Sequence, residues 1–161
     1  MNFFSPKYCL TSIIILLCGM IVHATPIKVG MSAALTGPSG HLGTTLLEGI
    51  EPTIAHINAN GGIQGRPLKL IALDDQYNPK QTVKNTLSLI KDHQVDLLFS
   101  YVGTPTTLKA TPIMLKYNTP LFFPFTGAHV LHDGLIGDII YHWRPNYWEE
   151  TKTIVDHLMA T

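Results

Sequence analysis

Residues Gly103-Thr104-Pro105-Thr106 set a glycine and two hydroxyls directly after the apolar run Leu97 to Val102. A hydroxyl at a helix N-cap with proline behind it is an ordinary helix start, so the spacing predicts Thr104 as N-cap and Pro105 at N1. The same turn aims backbone N–H groups and a positive helix end at the space above the strand, which suits an anion. Two more loops share this character: "LTGPSGHLG" at 35–43 and "PFTGAH" at 124–129. Glycine lets a backbone come close to a solute, and short alcohols offer neutral hydrogen bonds. The chemistry is binding. Its candidate contacts are Gly103, Thr104, Thr106, Thr126, Gly127 and Ala128, with His41 in the first loop facing either the cleft or solvent.

Residues for turnover are not assembled. There is no Ser-His-Asp arrangement, nucleophile elbow or H-E-x-x-H motif. Adjacent carboxylates occur at Asp74-Asp75 and Glu149-Glu150, and neither pair falls on the three loops. Asp74 and Asp75 read as solvated turn residues ahead of an Asn78 helix cap. Gly37, Gly40 and Gly43 lie between a strand and a helix, but Pro38-Ser39 stands where a dinucleotide fingerprint needs its second glycine. His129 and His132 have an i, i+3 spacing that can hold a metal on a helix, yet no third ligand accompanies them. The expectation is a non-enzyme without metal or cofactor.

The elements that must position these loops follow from periodicity. "IKVGMSAAL", "LKLIAL", "VDLLFSYV", "TPLFFPF" and "DIIYHW" read as strands. Leu46, Leu47, Ile50, Ile54 and Ile57 form a helical stripe that ends near Gly61, with Pro52 predicting a kink or a locally lost hydrogen bond. Asn78-Pro79 opens a second helix with Val83, Leu87 and Ile90 as its stripe, and Thr106 to Tyr117 forms a third. The last segment places Trp148, Ile154, Val155 and Leu158 on one side. This order predicts an α/β fold, an open doubly wound parallel sheet with strands in the order 2-1-3-4. In such sheets ligands sit beyond the carboxyl ends of the strands where the order reverses, and the three loops meet there.

Equal counts of basic and acidic side chains, 11 each, leave no charge excess pointing to nucleic acid or an anionic membrane. Residues 1–24 have Lys7, an apolar run from Leu10 to Val22 and a Val22-His23-Ala24 cleavage signal, the pattern of a secretory leader. The run is short for a membrane span, so no stable span is expected after cleavage. Cys9 and Cys18 depart with the leader, which leaves no disulfide, thiol nucleophile or thiolate metal site in the exported chain.

The stretches "INANGGIQGRPLKL", "DDQYNP", "GTPTTLKATPI" and "PFTGAHVLHD" resemble type 1 periplasmic binding proteins of the leucine/isoleucine/valine-binding group. The resemblance covers the exported chain. It implies two α/β lobes closing on a ligand, periplasmic location, and an ABC-transporter permease as partner of the full-length protein. It implies a first lobe over 25–144 that lacks its C-terminal return, and a truncated second lobe beginning with 145–161. Such a piece is expected to bind its ligand weakly, because closure needs both lobes. The lobe crossing near Arg144-Pro145-Asn146-Tyr147 adds Tyr147 to the candidate contacts. By the same resemblance Thr104 and nearby N–H groups hold a carboxylate, and the 126–128 loop meets an ammonium. Ala128 stands where amino-acid-binding members often carry a hydroxyl, which leaves amides and urea-like ligands open beside amino acids. A ligand-sensing receptor or regulator of the same fold is the alternative.

Overall fold

A computed structural model describes residues 24–160, so the expected leader, with Cys9 and Cys18, lies outside the described residues except for Ala24. β1 (Ile27–Ala33) pairs in parallel with β2 (Leu68–Asp74) on one side and with β3 (Leu97–Phe99) on the other. β4 (Leu121–Phe122) and β5 (Ile140–Tyr141) continue the sheet in parallel, in the order β2-β1-β3-β4-β5. The expected 2-1-3-4 order holds, with the fifth strand added beside the fourth.

Right-handed crossovers stepping in opposite directions place their helices on opposite faces. α1 (Gly40–Ala59), between β1 and β2, packs Leu42, Leu46, Leu47 and Ile50 against Met31, Ala33 and Val102. α2 (Pro79–Lys91) and α3 (Thr104–Tyr117) cover the other face, where Leu89, Ala110 and Met114 join Leu98, Tyr101, Leu121 and Ile140 in the main core. α4 (Gly134–Gly137) precedes β5, and α5 (Tyr147–Ala160) follows it.

Local signals account for most helix ends. Asn78 Oδ1 accepts from the Lys80 and Gln81 backbone, and Pro79 supplies the pre-set first position. Gly61 takes the left-handed backbone just beyond α1, at φ 94°. α1 continues as one helix through Pro52. Gly43 is required for a different reason: its N–H donates to the Ala34 carbonyl, and a Cβ there would meet that oxygen at 2.1 Å. The glycine spacing of the first loop therefore lets α1 start hard against β1.

Two stripes differ from expectation. α2 buries Thr82, Asn85, Thr86 and Leu89, a largely polar face, while Val83, Leu87 and Ile90 are only partly covered. α5 buries none of its side chains; Trp148 is 68% and Leu158 66% exposed. On the α1 side of the sheet, an apolar groove of about 600 Å³ runs between α1 and Val29, Leu97, Phe99 and Phe122. None of its lining residues comes from the three loops.

Candidate functional site

The three loops leave one end of the sheet because β1, β3 and β4 run parallel, and β3 and β4 bend together before their loops begin. Ser100 and Phe123, neighbours across the pair, both take left-handed backbone, at φ 51° and 55°. Pairing then resumes at the isolated parallel bridge between Val102 and Phe125. Non-glycine residues adopt this conformation at a cost, and tertiary contacts must hold them there. The bend delivers Thr104 and Thr126 to the same point.

Gly103, not Thr104, caps α3. Its φ of 97° and ψ of 146° lie in a region that only glycine enters easily, and no side chain caps the helix. A Cβ on Gly103 would also come within 2.6 Å of the Tyr77 ring. Thr104 is thus the first helical residue, and its hydroxyl is released from capping. It lies 2.6 Å from the Thr126 hydroxyl. Thr106 is a correction of the sequence reading. It is fully buried, and its hydroxyl donates to the Gly103 carbonyl at 2.8 Å and to that of Val102, so it presents no surface to a ligand. Thr107 likewise donates to the Gly103 carbonyl. The α3 dipole still points its positive end at the loops.

Thr126 is also fully buried, and Ala128 N–H donates to its hydroxyl at 3.2 Å. Tyr147 closes the group. Its hydroxyl is 3.4 Å from that of Thr126, and its N–H donates to the Gly127 carbonyl at 2.7 Å. A side chain at Gly127 would strike the Tyr147 ring at 2.8 Å, so glycine there lets the ring lie on the loop. The Thr126 hydroxyl, and then the Gly127 backbone, hold the Tyr147 phenol below its ordinary range. The Arg144 guanidinium lies 5.3 Å over the same ring. Thr104 is partly exposed and Tyr147 is 47% exposed, so these two hydroxyls, with Ala128 beside them, can meet a solute. His41 is exposed on the first turn of α1.

The first loop is held by an acid the sequence reading placed in solvent. Asp74 Oδ1 accepts from the N–H groups of Leu35 and Gln76 at 2.9 and 3.0 Å, and its other oxygen takes the Thr36 hydroxyl. Burial raises the Asp74 pKa, but the Thr36 hydroxyl and the surrounding N–H groups outweigh it and hold the carboxyl below its usual range. Asp75 is buried outright, a second correction. Ser32 and Thr82 donate to it at 2.8 and 2.9 Å, Tyr77 N–H at 2.9 Å, and Asn85 braces Ser32 at 3.1 Å. Burial nonetheless pushes its carboxyl up. The polar stripe Thr82-Asn85-Thr86 was the available signal: such residues on the inward face of a helix need a buried polar partner.

His129 and His132 do not converge. His129 pairs with Asp133 at 3.0 Å, whereas His132 stacks on His142. Among the described residues, no three His, Cys, Asp or Glu side chains gather as a metal site would require.

Residues 26–161 match the Periplasmic binding protein family. The chain belongs to that family. The Leu/Ile/Val-binding protein of Escherichia coli K12 is 35% identical to this periplasmic binding protein over 86 residues, which are 53% of this chain and 23% of that protein. The amino acid binding protein of Pseudomonas aeruginosa is 26% identical over 121 residues, 74% of this chain and 32% of that one. A crystal structure described as a possible leucine/isoleucine/valine-binding protein from Rhodopirellula baltica is 39% identical. It superposes with a TM-score of 0.78 and covers 88% of this chain and 38% of that one. The periplasmic binding protein described here thus matches only 23% and 32% of the length of these curated relatives. The open parallel sheet read from the sequence is the lobe architecture of type 1 periplasmic binding proteins.

Proposed function

We propose that this chain carries the first ligand-binding lobe of an exported substrate-binding protein that serves an ABC transporter. In this reading residues 1–24 are a cleaved leader directing the chain to the periplasm, and residues 25–144 form the first lobe. Residues 145–161 open the second. The ligand is an amino acid, with branched-chain members first, and small amides or urea-like solutes as the wider class. It is captured and released unchanged, and a permease receives it. A sensing domain of the same fold would use the same cleft and differ only in what reads its closure.

One observation carries the reading: the Thr104 and Thr126 hydroxyls, 22 residues apart in sequence, lie 2.6 Å apart where the loops after β3 and β4 meet. That point lies at the N-terminus of α3, where a carboxylate is favoured by both the dipole and the unpaired N–H groups of a first helical turn. Thr104 contributes a hydroxyl, and the backbone of Gly103, Gly127 and Ala128 lets the ligand approach. Tyr147 flanks the ammonium or amide side. The relatives' names support amino acids as the class.

Amide chemical shifts under titration test this with sensitivity even to millimolar affinity. Leucine is expected to move the amides of Gly103, Thr104, Thr106 and residues 126–128 along saturable curves, and Thr104→Val to weaken the response about tenfold. Shifts confined to other surfaces, or none with any amino acid or amide, would sink the proposal.

A further inference from the structure

This inference rests on that reading of the cleft and concerns its opposite end, on the β2 side. Directly after β2, Gln76 and Tyr77 take left-handed backbone in succession, at φ 53° and 61°. A bulky aromatic residue holds that conformation only where its surroundings impose it. Two carboxylates impose it here: Asp74 accepts from the Gln76 N–H at 3.0 Å, and Asp75 from the Tyr77 N–H at 2.9 Å. Asp75 is buried and in turn fixed by the hydroxyls of Ser32 and Thr82. Glycine would make the same turn without strain. What the strained turn secures is therefore the position of the Tyr77 side chain.

That side chain reaches past the end of β1 to the end of β3. A Cβ built on Gly103 would meet Tyr77 Cε2, Cζ and Oη at 2.6, 2.7 and 2.7 Å, so the phenol end of the ring rests on Gly103. Thr104 is the next residue, with its Cα about 3.8 Å further on. Thr126 approaches Thr104 from the β4 side, whereas Tyr77 comes from the β2 side, and the sheet order puts these on opposite flanks of β3. A solute with its head group at Thr104 and the 126–128 loop can thus extend its other end toward Tyr77. The surroundings there are apolar: Leu35, Leu42 and the Tyr77 ring pack around Met31, Ala33 and Val102. The Tyr77 hydroxyl is the exception. Its residue is half-buried, and no group among the described residues bonds that hydroxyl.

We propose that Tyr77 sets the side-chain specificity of the cleft: its hydroxyl gives a hydrogen-bonding side chain a partner within an apolar pocket, and so extends the ligands from aliphatic amino acids to those bearing a carboxamide or hydroxyl. Leucine and asparagine have side chains of the same shape, one apolar and one polar. A purely aliphatic wall rejects the polar one, because its amide loses water and finds no partner. A phenol oxygen both donates and accepts, so it serves either end of a carboxamide. The ring beneath it still packs against an aliphatic chain, which leaves leucine indifferent to the hydroxyl.

The test uses Tyr77→Phe, which removes the hydroxyl and keeps the ring on Gly103. Chemical-shift titrations of parent and variant with asparagine and with leucine read the effect. Asparagine affinity is expected to fall about fivefold in Tyr77→Phe, while leucine affinity stays within about twofold. Equal changes for the two amino acids, or no change in either, overturn the proposal. A second measurement needs no ligand. The α-protons of Gly103 are expected to be displaced by the Tyr77 ring current, to keep that displacement in Tyr77→Phe and to lose it in Tyr77→Leu. Gly103 resonances unmoved in Tyr77→Leu would show that the ring does not lie there, and the proposal falls. A parent chain that binds neither amino acid overturns the reading of the cleft instead, and the ring-current result still decides where Tyr77 sits.

Discussion

The imidazole rings of His132 and His142 lie face to face, their centroids 3.6 Å apart and their planes 16° from parallel. His142 Nε2 is 3.0 Å from the Leu131 carbonyl, while His132 Nε2 and His142 Nδ1 are buried with no hydrogen-bond partner. The stack ties the turn after the 126–128 loop to the strand leading to Tyr147, so it braces both supports of the candidate cleft.

Protonating His132 in this setting is unfavourable. Burial first, and then the neighbouring His142, lower the His132 pKa from the ordinary 6.5; Glu149 and Asp133 oppose this, and His129 adds to it. The unfolded chain therefore binds a proton more readily than the folded one, and stability is lost as pH falls below about 6.5 toward the lowered folded value. The urea midpoint is expected to drop between about pH 7.5 and about pH 5.5. His132→Phe, which removes the titrating group and keeps a ring to stack on, should flatten that part of the profile. A midpoint independent of pH over this range in the parent would refute the account.

Asp75 has the opposite sign. Its carboxyl is pushed up, chiefly by burial, so the folded chain holds that proton more tightly than the unfolded one. The contribution is fully present below the ordinary value of 3.8 and is lost as pH rises through the raised folded value. Asp75→Asn is expected to abolish this slope in acid unfolding curves. Asp75→Ala strands the hydroxyls of Ser32 and Thr82 and the Tyr77 N–H, and is expected to cost about 2–4 kcal/mol by urea denaturation.

Gly103→Ala combines a backbone that only glycine enters easily with a collision against the Tyr77 ring. A loss of about 1–3 kcal/mol is expected from the backbone alone. Because Gly103 sets the start of α3, Thr104 should also leave Thr126. Calorimetric melting reads the first effect, and the Thr104 and Thr126 NMR shifts read the second.

The entry to α5 rests on reciprocal bonds between Asn146 and Glu149: each backbone N–H donates to the other's side chain, at 3.0 and 3.1 Å. Arg144 adds a two-pronged pair to Glu150. With no buried side chain to anchor the helix, these contacts hold its first turn. Asn146→Ala is expected to weaken that turn by about 1 kcal/mol, seen as faster hydrogen exchange at residues 148–151. Exchange rates unchanged by the substitution would show that the cap does not hold the helix.

The sequence by itself determined the order of elements, the parallel sheet with its reversal beside β1, and the Asn78 cap. Each of these follows from local chemistry: apolar periodicity, a capping amide before proline, and the handedness of crossovers. The neighbourhood of Thr104 and Thr126 was legible for the same reason, since loops after adjacent parallel strands must emerge at one edge. Only the tertiary structure decided which hydroxyls face outward. Thr106 and Thr126 look like Thr104 in sequence, but a buried hydroxyl must spend its proton on whatever packing places beside it. The paired bend at Ser100 and Phe123, the burial of Asp75 and the choice of His142 as the partner of His132 have the same origin. Each is fixed by a contact between residues distant in the chain, and no local run of side chains encodes it.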